Sequence, residues 1–536
     1  MEKAFEMGKT SATGSFHLLI GVATSTIIMA VGAIILGRIL TQDEYGLYAI
    51  ALIPASTMNL FRDWGVNNAI IRYTASLRAS HKDEEIENFI VAGTIFEVAS
   101  GISLSLICLF LASFIASVFF HRPESALYIA IISISIISGS MLTVSQSGFI
   151  GYERMRLNSF TVICQAIVKT AVGPTLVLLG YSVLGAIVGY TLSIIVAAII
   201  GLTTFYFVLF RPLKKKRTKK SNIIKTLKTM LNFGVPVQIG FILSGILGQI
   251  FAFMIIPLTS NAMYGNYAVA SNFGVLLTFL TTPIATALFP AFSKLDPQNE
   301  SDLVRNIFAS SVKYTSVLLI PATMILMALS GPMIGTLYGE KYSYGPFFLT
   351  ISVLGMLPAV VGSQTIGSFL EGMGETRILM KQNVLTVIFG VPLGLLLIPL
   401  WGITGLIIAG TLSGLPGILW ILFWISKHYG ARADLRSSAK ILAASAIAAI
   451  AAYLPTIFLK TANWMLLIIG LATFLAVYIL GAPIIGAVNE TDINNLRNLF
   501  SGMGFMSKII NLPLDLAEMV AQIKSPNKRT GKKAQY

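Results

Sequence analysis

About fourteen apolar stretches, each near 20 residues long, recur along the chain between clusters of turn and charged residues. They fall at 15–37, 48–71, 89–112, 126–150, 160–179, 183–210, 231–258, 267–292, 307–329, 347–370, 384–399, 403–425, 441–459 and 464–485. At about 1.5 Å rise per residue, each is long enough to cross a hydrocarbon core about 30 Å thick as a helix. Inside lipid a helix satisfies its own backbone polar groups. The pattern therefore predicts an all-α polytopic membrane protein. Composition agrees, since 55% hydrophobic and 11% charged positions among 536 residues leave too little polar surface to cover soluble domains. Two joints, at 180–182 and 401–402, leave almost no loop between neighbouring spans.

The basic residues give the orientation. An even number of spans puts both termini on one side. Of the 38 Lys and Arg, only Arg38, Arg122, Lys341 and Lys460 fall on the other side, and Arg62, Lys169 and Lys313 lie within spans. Positive charge is retained in the cytoplasm during insertion, so both termini are expected there, with the chain in the plasma membrane. This explains the net charge of +15 without a nucleic-acid partner. The basic loop at 211–230 contributes most; it could also bind anionic lipid, although the topology rule already requires such a loop. The residues before the first span are polar and the apolar run continues past a signal-peptide core, so the first span reads as a retained helix. Cys108 and Cys164 both sit in apolar runs and imply neither a disulfide framework nor a metal site. Near the C-terminus, residues 509–523 read as an amphipathic segment on the inner leaflet, followed by a basic end.

A repeat sets the architecture. Tyr-Gly-Leu-Tyr-Ala-Ile-Ala at 45–51 returns as Tyr-Gly-Asn-Tyr-Ala-Val-Ala at 264–270, and Thr-Leu-Ser at 191–193 returns at 411–413. Both pairs share nearly one offset, about 220 residues, which encloses six spans. An even number of spans per repeat keeps the two copies in the same orientation, so they are related by an axis along the membrane normal. The expected organisation is two six-helix pseudo-symmetric lobes plus two C-terminal helices. It divides into an N-lobe at 1–210, a basic linker at 211–230, a C-lobe at 231–426, two added helices at 427–488 and a basic tail at 489–536.

The run LGRILTQDEYGLYAIA, the Asp63-Trp64-Gly65 element with Ala69-Ile70-Ile71-Arg72-Tyr73, and Gly151-Tyr152-Glu153-Arg154 after the fourth span carry a resemblance. The chain resembles the polysaccharide transporter branch of the multidrug/oligosaccharidyl-lipid/polysaccharide (MOP) exporter superfamily. That resemblance implies two six-helix lobes around a central cavity, usually with two added helices. It implies a transporter, not an enzyme, that flips polyprenyl phosphate- or diphosphate-linked glycans to the outer leaflet by alternating access. Its partners would be the lipid-linked glycan, membrane lipids and membrane proteins of glycan assembly, with the chain acting as a monomer. No cofactor is implied beyond a coupling proton or sodium ion.

A substrate of that kind needs cations or amides for its phosphate and polar groups for its sugars, while its prenyl tail stays in lipid. A charge at the bilayer centre costs about 2.5–3.5 kcal/mol on insertion scales, so each intramembrane charge requires a partner or a purpose. Arg62 and Asp63, adjacent on the second span, are expected to project about 100° apart on one helix and to find partners elsewhere. Glu97 and Lys169 are available in the same lobe. The four sum to zero charge, which allows a structural ion-pair network. Alternatively Arg62 or Lys169 contacts phosphate and Asp63 or Glu97 binds the coupling ion. The repeat equivalents of Arg62 and Asp63 are Thr281 and Thr282, so the pair is not duplicated. Lys313, without an acid on its own span, is expected to meet a substrate anion or an N-lobe carboxylate, or to snorkel. Gln238, Gln249 and Asn272 are candidates for sugar hydroxyls, or for bridges between helices. Pro236 and Pro257 bracket the seventh span and Gly240, Gly245 and Gly248 loosen it.

Two other readings remain. A cation-coupled multidrug antiporter of the same superfamily often has a carboxylate in its first or seventh helix, and neither span has one here. A membrane glycosyltransferase or polymerase needs an acid or base in a large outer loop or cavity mouth, and the outer loops are short. No phosphate-binding GxxxxGK[ST] loop, metal-spaced His cluster or nucleophile elbow occurs.

Overall fold

The computed structural model of the chain describes residues 2–80, 82–214, 222–296, 299–490 and 492–494, with residues 497, 511, 514–516, 518 and 519 beyond them. The amphipathic segment expected at 509–523 falls mostly outside the described residues, and the basic end after it wholly so. All elements among the described residues are helical. Nine helices there are long and apolar enough to cross a membrane; the bent pair Gly345–Val361 and Ile366–Gly372 makes a tenth if taken as one span.

Two of the nine are too long for one crossing. Met155–Leu213 has 59 residues and Thr376–Tyr429 has 54, against the ~20–25 a bilayer needs. Each reverses at one of the loopless joints. Gly180 (φ 93°) and Ser182 (φ 45°) leave the helical region in the first, and Gly402 (φ 56°, ψ −131°) in the second. Past Gly402 the chain runs back along itself, so that Gly417 meets Gln382 and Thr386.

The chain forms two compact units, each made of two segments. The first holds Met1–Ala268 with Gly394–Leu406. It contains α1 (Glu2–Ile39), α2 (Gln42–Ala51), α3 (Ile53–Leu60), α4 (Val66–Ala79), α5 (Asp83–Phe114), α6 (Ala126–Gly151), α7 (Met155–Leu176), α8 (Ser182–Phe205), α9 (Arg211–Lys214), α10 (Ile223–Ile255) and the start of α11 (Asn261–Asn272). Helix α7 packs between α1 and α8, and α6 between α5 and α8. Hydroxyls tie these helices across the bilayer depth: Thr170 donates to the Ile28 carbonyl at 2.9 Å and Ser105 to the Ser133 carbonyl at 2.7 Å. Helix α10 runs unbroken through Pro236 and packs on α3, α4 and α5. Val66, Ala69, Ile70, Ala92 and Met230 fill the space beneath it.

The repeated Tyr-Gly-x-Tyr-Ala elements open α2 and α11 and touch each other within this unit. A Cβ on Gly46 would run into the Asn261 carbonyl and lie 2.9 Å from the Gly265 nitrogen. A Cβ on Gly265 would run into the Gln42 carbonyl and lie 3.1 Å from the Gly46 nitrogen. Positions 46 and 265 are repeat equivalents, as are 42 and 261, so the crossing is reciprocal, like a two-fold interface. Asp43 Oδ1 accepts from the Ala262 amide at 3.1 Å, a favourable charge at the start of α11. Beside the crossing, Arg122 in the turn between α5 and α6 donates to the carbonyls of Phe120 (2.9 Å), Ile256 (2.7 Å) and Thr259 (2.5 Å) and to Asn261 Oδ1.

The second unit holds Val269–Leu393 with Ile407–Tyr536. It contains α12 (Gly274–Ser293), α13 (Ser301–Ala328), α14 (Ser330–Leu337), α15 (Gly345–Leu354), α16 (Ile366–Gly372), most of α17 (Thr376–Tyr429), α18 (Leu435–Phe458) and α19 (Asn463–Ile485). Helix α13 packs on α12, α15 and α18, and α18 on α19. Phe292, Phe308 and Phe369 meet edge to face in its core, at 5.0 and 5.1 Å between centroids. After α19 the chain turns at Gly486 and returns to the core, burying Ala487 and Ile493 completely.

Candidate functional site

Arg62 and Asp63 do not lie on a helix. The second span breaks after Leu60, and α4 starts at Val66; between them Trp64 (φ 50°) and Gly65 (φ 77°) take left-handed backbone. Gly65 is needed there twice over, because a Cβ would also strike the backbone of Gly234 on α10. The expected 100° separation of Arg62 and Asp63 along one helix is therefore corrected. A break at this depth exposes backbone groups that lipid cannot satisfy, and the residues around it supply the missing partners. Gln238 Nε2 donates to the Leu60 carbonyl at 2.9 Å, the Ser100 hydroxyl to the Arg62 carbonyl at 2.8 Å, and the Asn67 amide to Asp63 Oδ1 at 2.9 Å. Asp63 thus satisfies one first-turn amide of α4, and its negative charge faces the favourable end of that helix.

Arg62 is buried and holds three partners. Its guanidinium donates to Asn59 Oδ1 and Thr143 Oγ1, each at 2.8 Å, and its Nε lies 3.3 Å from Glu97 Oε2. That last pair is not aligned for a hydrogen bond, so it rests on charge. Glu97 is fully buried, accepts from Asn67 Nδ2 at 2.9 Å and has the Asp63 carboxyl nearby. Of the two carboxyls, only that of Glu97 lies within ion-pair distance of the Arg62 guanidinium.

Lys169 does not join this group. It lies on α7 with its ammonium 5.1 Å from the centre of the Tyr190 ring on α8, and has no carboxylate partner among the described residues. The four-charge network is corrected: Arg62, Asp63 and Glu97 gather around the break, and Lys169 stands apart from them. Lys313 finds its carboxylate outside the N-lobe: its Nζ lies 2.6 Å from Asp492 Oδ2, in the segment after α19. Nothing on α13 or its sequence neighbours signals that partner.

The amides bridge helices. Gln249 accepts from Thr57 at 2.8 Å and Ser56 at 3.3 Å, joining α10 to α3, and Asn272 donates to the Tyr338 hydroxyl at 3.2 Å. Sequence reasoning missed Asn59, Asn67, Thr143 and Tyr190.

The family described as polysaccharide biosynthesis protein matches residues 35–344. The lipopolysaccharide biosynthesis protein WzxC of Escherichia coli is 22% identical over 403 residues, covering 74% of each chain. The probable low-salt glycan biosynthesis flippase Agl15 of Haloferax volcanii is 22% identical over 153 residues, 28% of this chain and 31% of that protein. Among solved structures, the lipid II flippase MurJ in its inward closed conformation aligns with a TM-score of 0.71 at 17% identity, covering 87% of this chain and 98% of that one. An inward-facing multidrug resistance MATE family transporter aligns at 0.64 and 13% identity, covering 76% and 96%. At these identities the structures speak for the fold, and the family match spans more than half of the chain. The chain belongs to the polysaccharide biosynthesis protein family.

Proposed function

We propose that this protein flips a polyprenyl phosphate- or diphosphate-linked oligosaccharide from the inner to the outer leaflet of the cytoplasmic membrane. In this reading it has fourteen crossings and cytoplasmic termini, and its two repeated lobes alternate access to a cavity. The nine helices long enough to cross become fourteen when the two reversing helices count twice and the broken spans around α2–α4, α11–α12 and α15–α16 count once each. Lys169 is the observation that carries the substrate assignment. Of the three cations at membrane depth, Arg62 and Lys313 each face a carboxylate, whereas Lys169 faces only an aromatic ring. A desolvated ammonium without a counter-ion is costly unless an anion visits it, and a lipid phosphate is such an anion. The aromatic face partly compensates between visits.

The same charge count supports ion coupling. Arg62 balances only one of Asp63 and Glu97, so a proton or sodium ion held by the carboxyl pair would relieve the excess charge. Binding such an ion is a two-state event of the kind that can bias a conformational equilibrium.

Reconstituted vesicles with a lipid-linked glycan on one face test both claims. Lys169→Ala is expected to cut translocation about tenfold or more while insertion and melting temperature stay near the parent, as for loss of a charge-assisted contact of about 1.5–3 kcal/mol. Lys169→Arg should recover much of it. Transport by Lys169→Ala at the parent rate would overturn the assignment, and a change in glycan mass would show an enzyme instead. Asp63→Asn should remove the dependence on pH or sodium; dependence that survives unchanged rules Asp63 out as the coupling acid.

A further inference from the structure

Gly151-Tyr152-Glu153-Arg154, one of the elements that marks the family resemblance, takes no part in the charged trio or in the surroundings of Lys169. It makes the turn between α6 and α7. Gly151 abuts Thr74 on α4, the Arg154 amide reaches back to the Phe149 carbonyl at 2.7 Å, and Glu153 is held at φ 56°, which a side-chain-bearing residue rarely adopts. The turn projects Tyr152 and Arg154 toward the end of α4, where the Arg78 guanidinium lies over the Tyr152 ring at 5.2 Å. Arg78, Tyr152, Arg154, Leu209, Pro212 and Leu213 line a cavity of about 240 Å³. Two guanidinium groups and a phenol stand on one side, and the apolar residues preceding and within α9 on the other. Glu153 sits at the rim, 3.9 Å from Arg78, with both side chains more than one-third exposed, so it screens the cavity only weakly.

We propose that this cavity binds the phosphate ester of an anionic lipid headgroup at the cytoplasmic leaflet. Two forked guanidiniums are the chemistry that holds a phosphate bidentately. The volume is below that of a drug-sized pocket, room for a phosphate and the first carbons of its ester but not for a glycan. Val208 also lines this wall, which continues into Tyr206 and Phe207, all three exposed on the outside of the unit, and gives the lipid's chains a path just past the end of α8. In the sequence, Lys214, Lys215, Lys216 and Arg217 follow the wall residues, and a basic run of this kind attracts anionic lipid. Basic pockets at the inner ends of membrane helices are typical headgroup sites. The bilayer phospholipid is the favoured source, since it surrounds the site permanently; a free polyprenyl phosphate carries the same group. This inference rests on the proposed topology, in which the turn is cytoplasmic, but not on the transport of a glycan.

The test uses the full chain in detergent, with retained lipids counted by native mass spectrometry after mixing with phosphatidylglycerol, phosphatidylcholine or undecaprenyl phosphate. The parent should retain phosphatidylglycerol over phosphatidylcholine, and Arg78→Ala/Arg154→Ala should lose about tenfold or more of that preference, since each basic residue near a membrane surface adds roughly a factor of five. Pro212→Glu, at an exposed wall position, adds a carboxylate without removing core and should give a similar loss. Retention of undecaprenyl phosphate alone, lost in the same variants, would keep the phosphate site and assign it to the carrier. Equal phosphatidylglycerol preference in the parent and both variants would overturn the proposal, because the polybasic run, intact in all three, would then explain it.

Discussion

Arg62 illustrates how an intramembrane charge is held. Its side chain is 9% exposed and that of Glu97 is 0% exposed, so water screens little of their interaction. Removing one partner leaves the other desolvated, which typically costs about 3–5 kcal/mol, while an apolar pair of similar volume is often tolerated. Arg62→Ala is therefore expected to lower unfolding stability by about 3 kcal/mol or more. Arg62→Met with Glu97→Leu should recover most of that loss in thermal or denaturant unfolding. If the single variant unfolds like the parent, the pair is not what holds α5 against the break. Residue types announced this site in the sequence because Arg, Asp and Glu are rare and costly at such depth. Their geometry was hidden, because one Gly after Asp-Trp does not by itself foretell a left-handed turn inside an apolar run. Lys313 was hidden more deeply, since its partner Asp492 lies far along the chain, after the last helix.

At the scale of elements, the repeated Tyr-Gly-x-Tyr-Ala sequence was legible as a duplication but not as a contact. Only the structure shows that its two copies cross each other at Gly46 and Gly265. The capping box at Thr41 and Glu44 fixes where α2 begins, and hence which residue faces the crossing. Gly46→Ala would place a methyl group against the Asn261 carbonyl, forcing the helices apart at a cost of about 1–3 kcal/mol. Gly248 on α10 differs, with open space where its Cβ would stand. Gly248→Ala should stabilise by roughly 0.5–1 kcal/mol through helix propensity alone. Melting temperatures in one detergent check the pair: a lower value for Gly46→Ala and a higher one for Gly248→Ala are expected. A stabilised Gly46→Ala would mean that the crossing is loose. The loopless joints were legible in outline, because an apolar run of more than 50 residues must reverse somewhere.

At the scale of the whole molecule, the boundary between repeats and the boundary between packed units fall in different places. The repeat begins anew near α10, yet α10 and the start of α11 pack with the first repeat, and the tip of the α17 hairpin joins them. Hydropathy and loop charge bear on how many helices cross and which way they insert; they do not record which helix a neighbour prefers, because apolar faces look alike in lipid. Arg122 makes that preference specific. It is buried in the turn between α5 and α6, and its hydrogen bonds to Ile256, Thr259 and Asn261 fasten the turn between α10 and α11 to the first repeat. With the proposed topology this clasp stands at the outer end, where its release would free the turn between α10 and α11 from the turn between α5 and α6. Arg122→Ala is therefore expected to raise labelling of a Gln42→Cys reporter by a membrane-impermeant thiol reagent several-fold, in a background with Cys108 and Cys164 replaced by Ala. Hydrogen bonds to a charged group are worth about 1.5–3 kcal/mol each, enough to shift a two-state equilibrium by tenfold or more. Unchanged labelling together with a lowered melting temperature would make Arg122 a staple of the folded unit and not a gate.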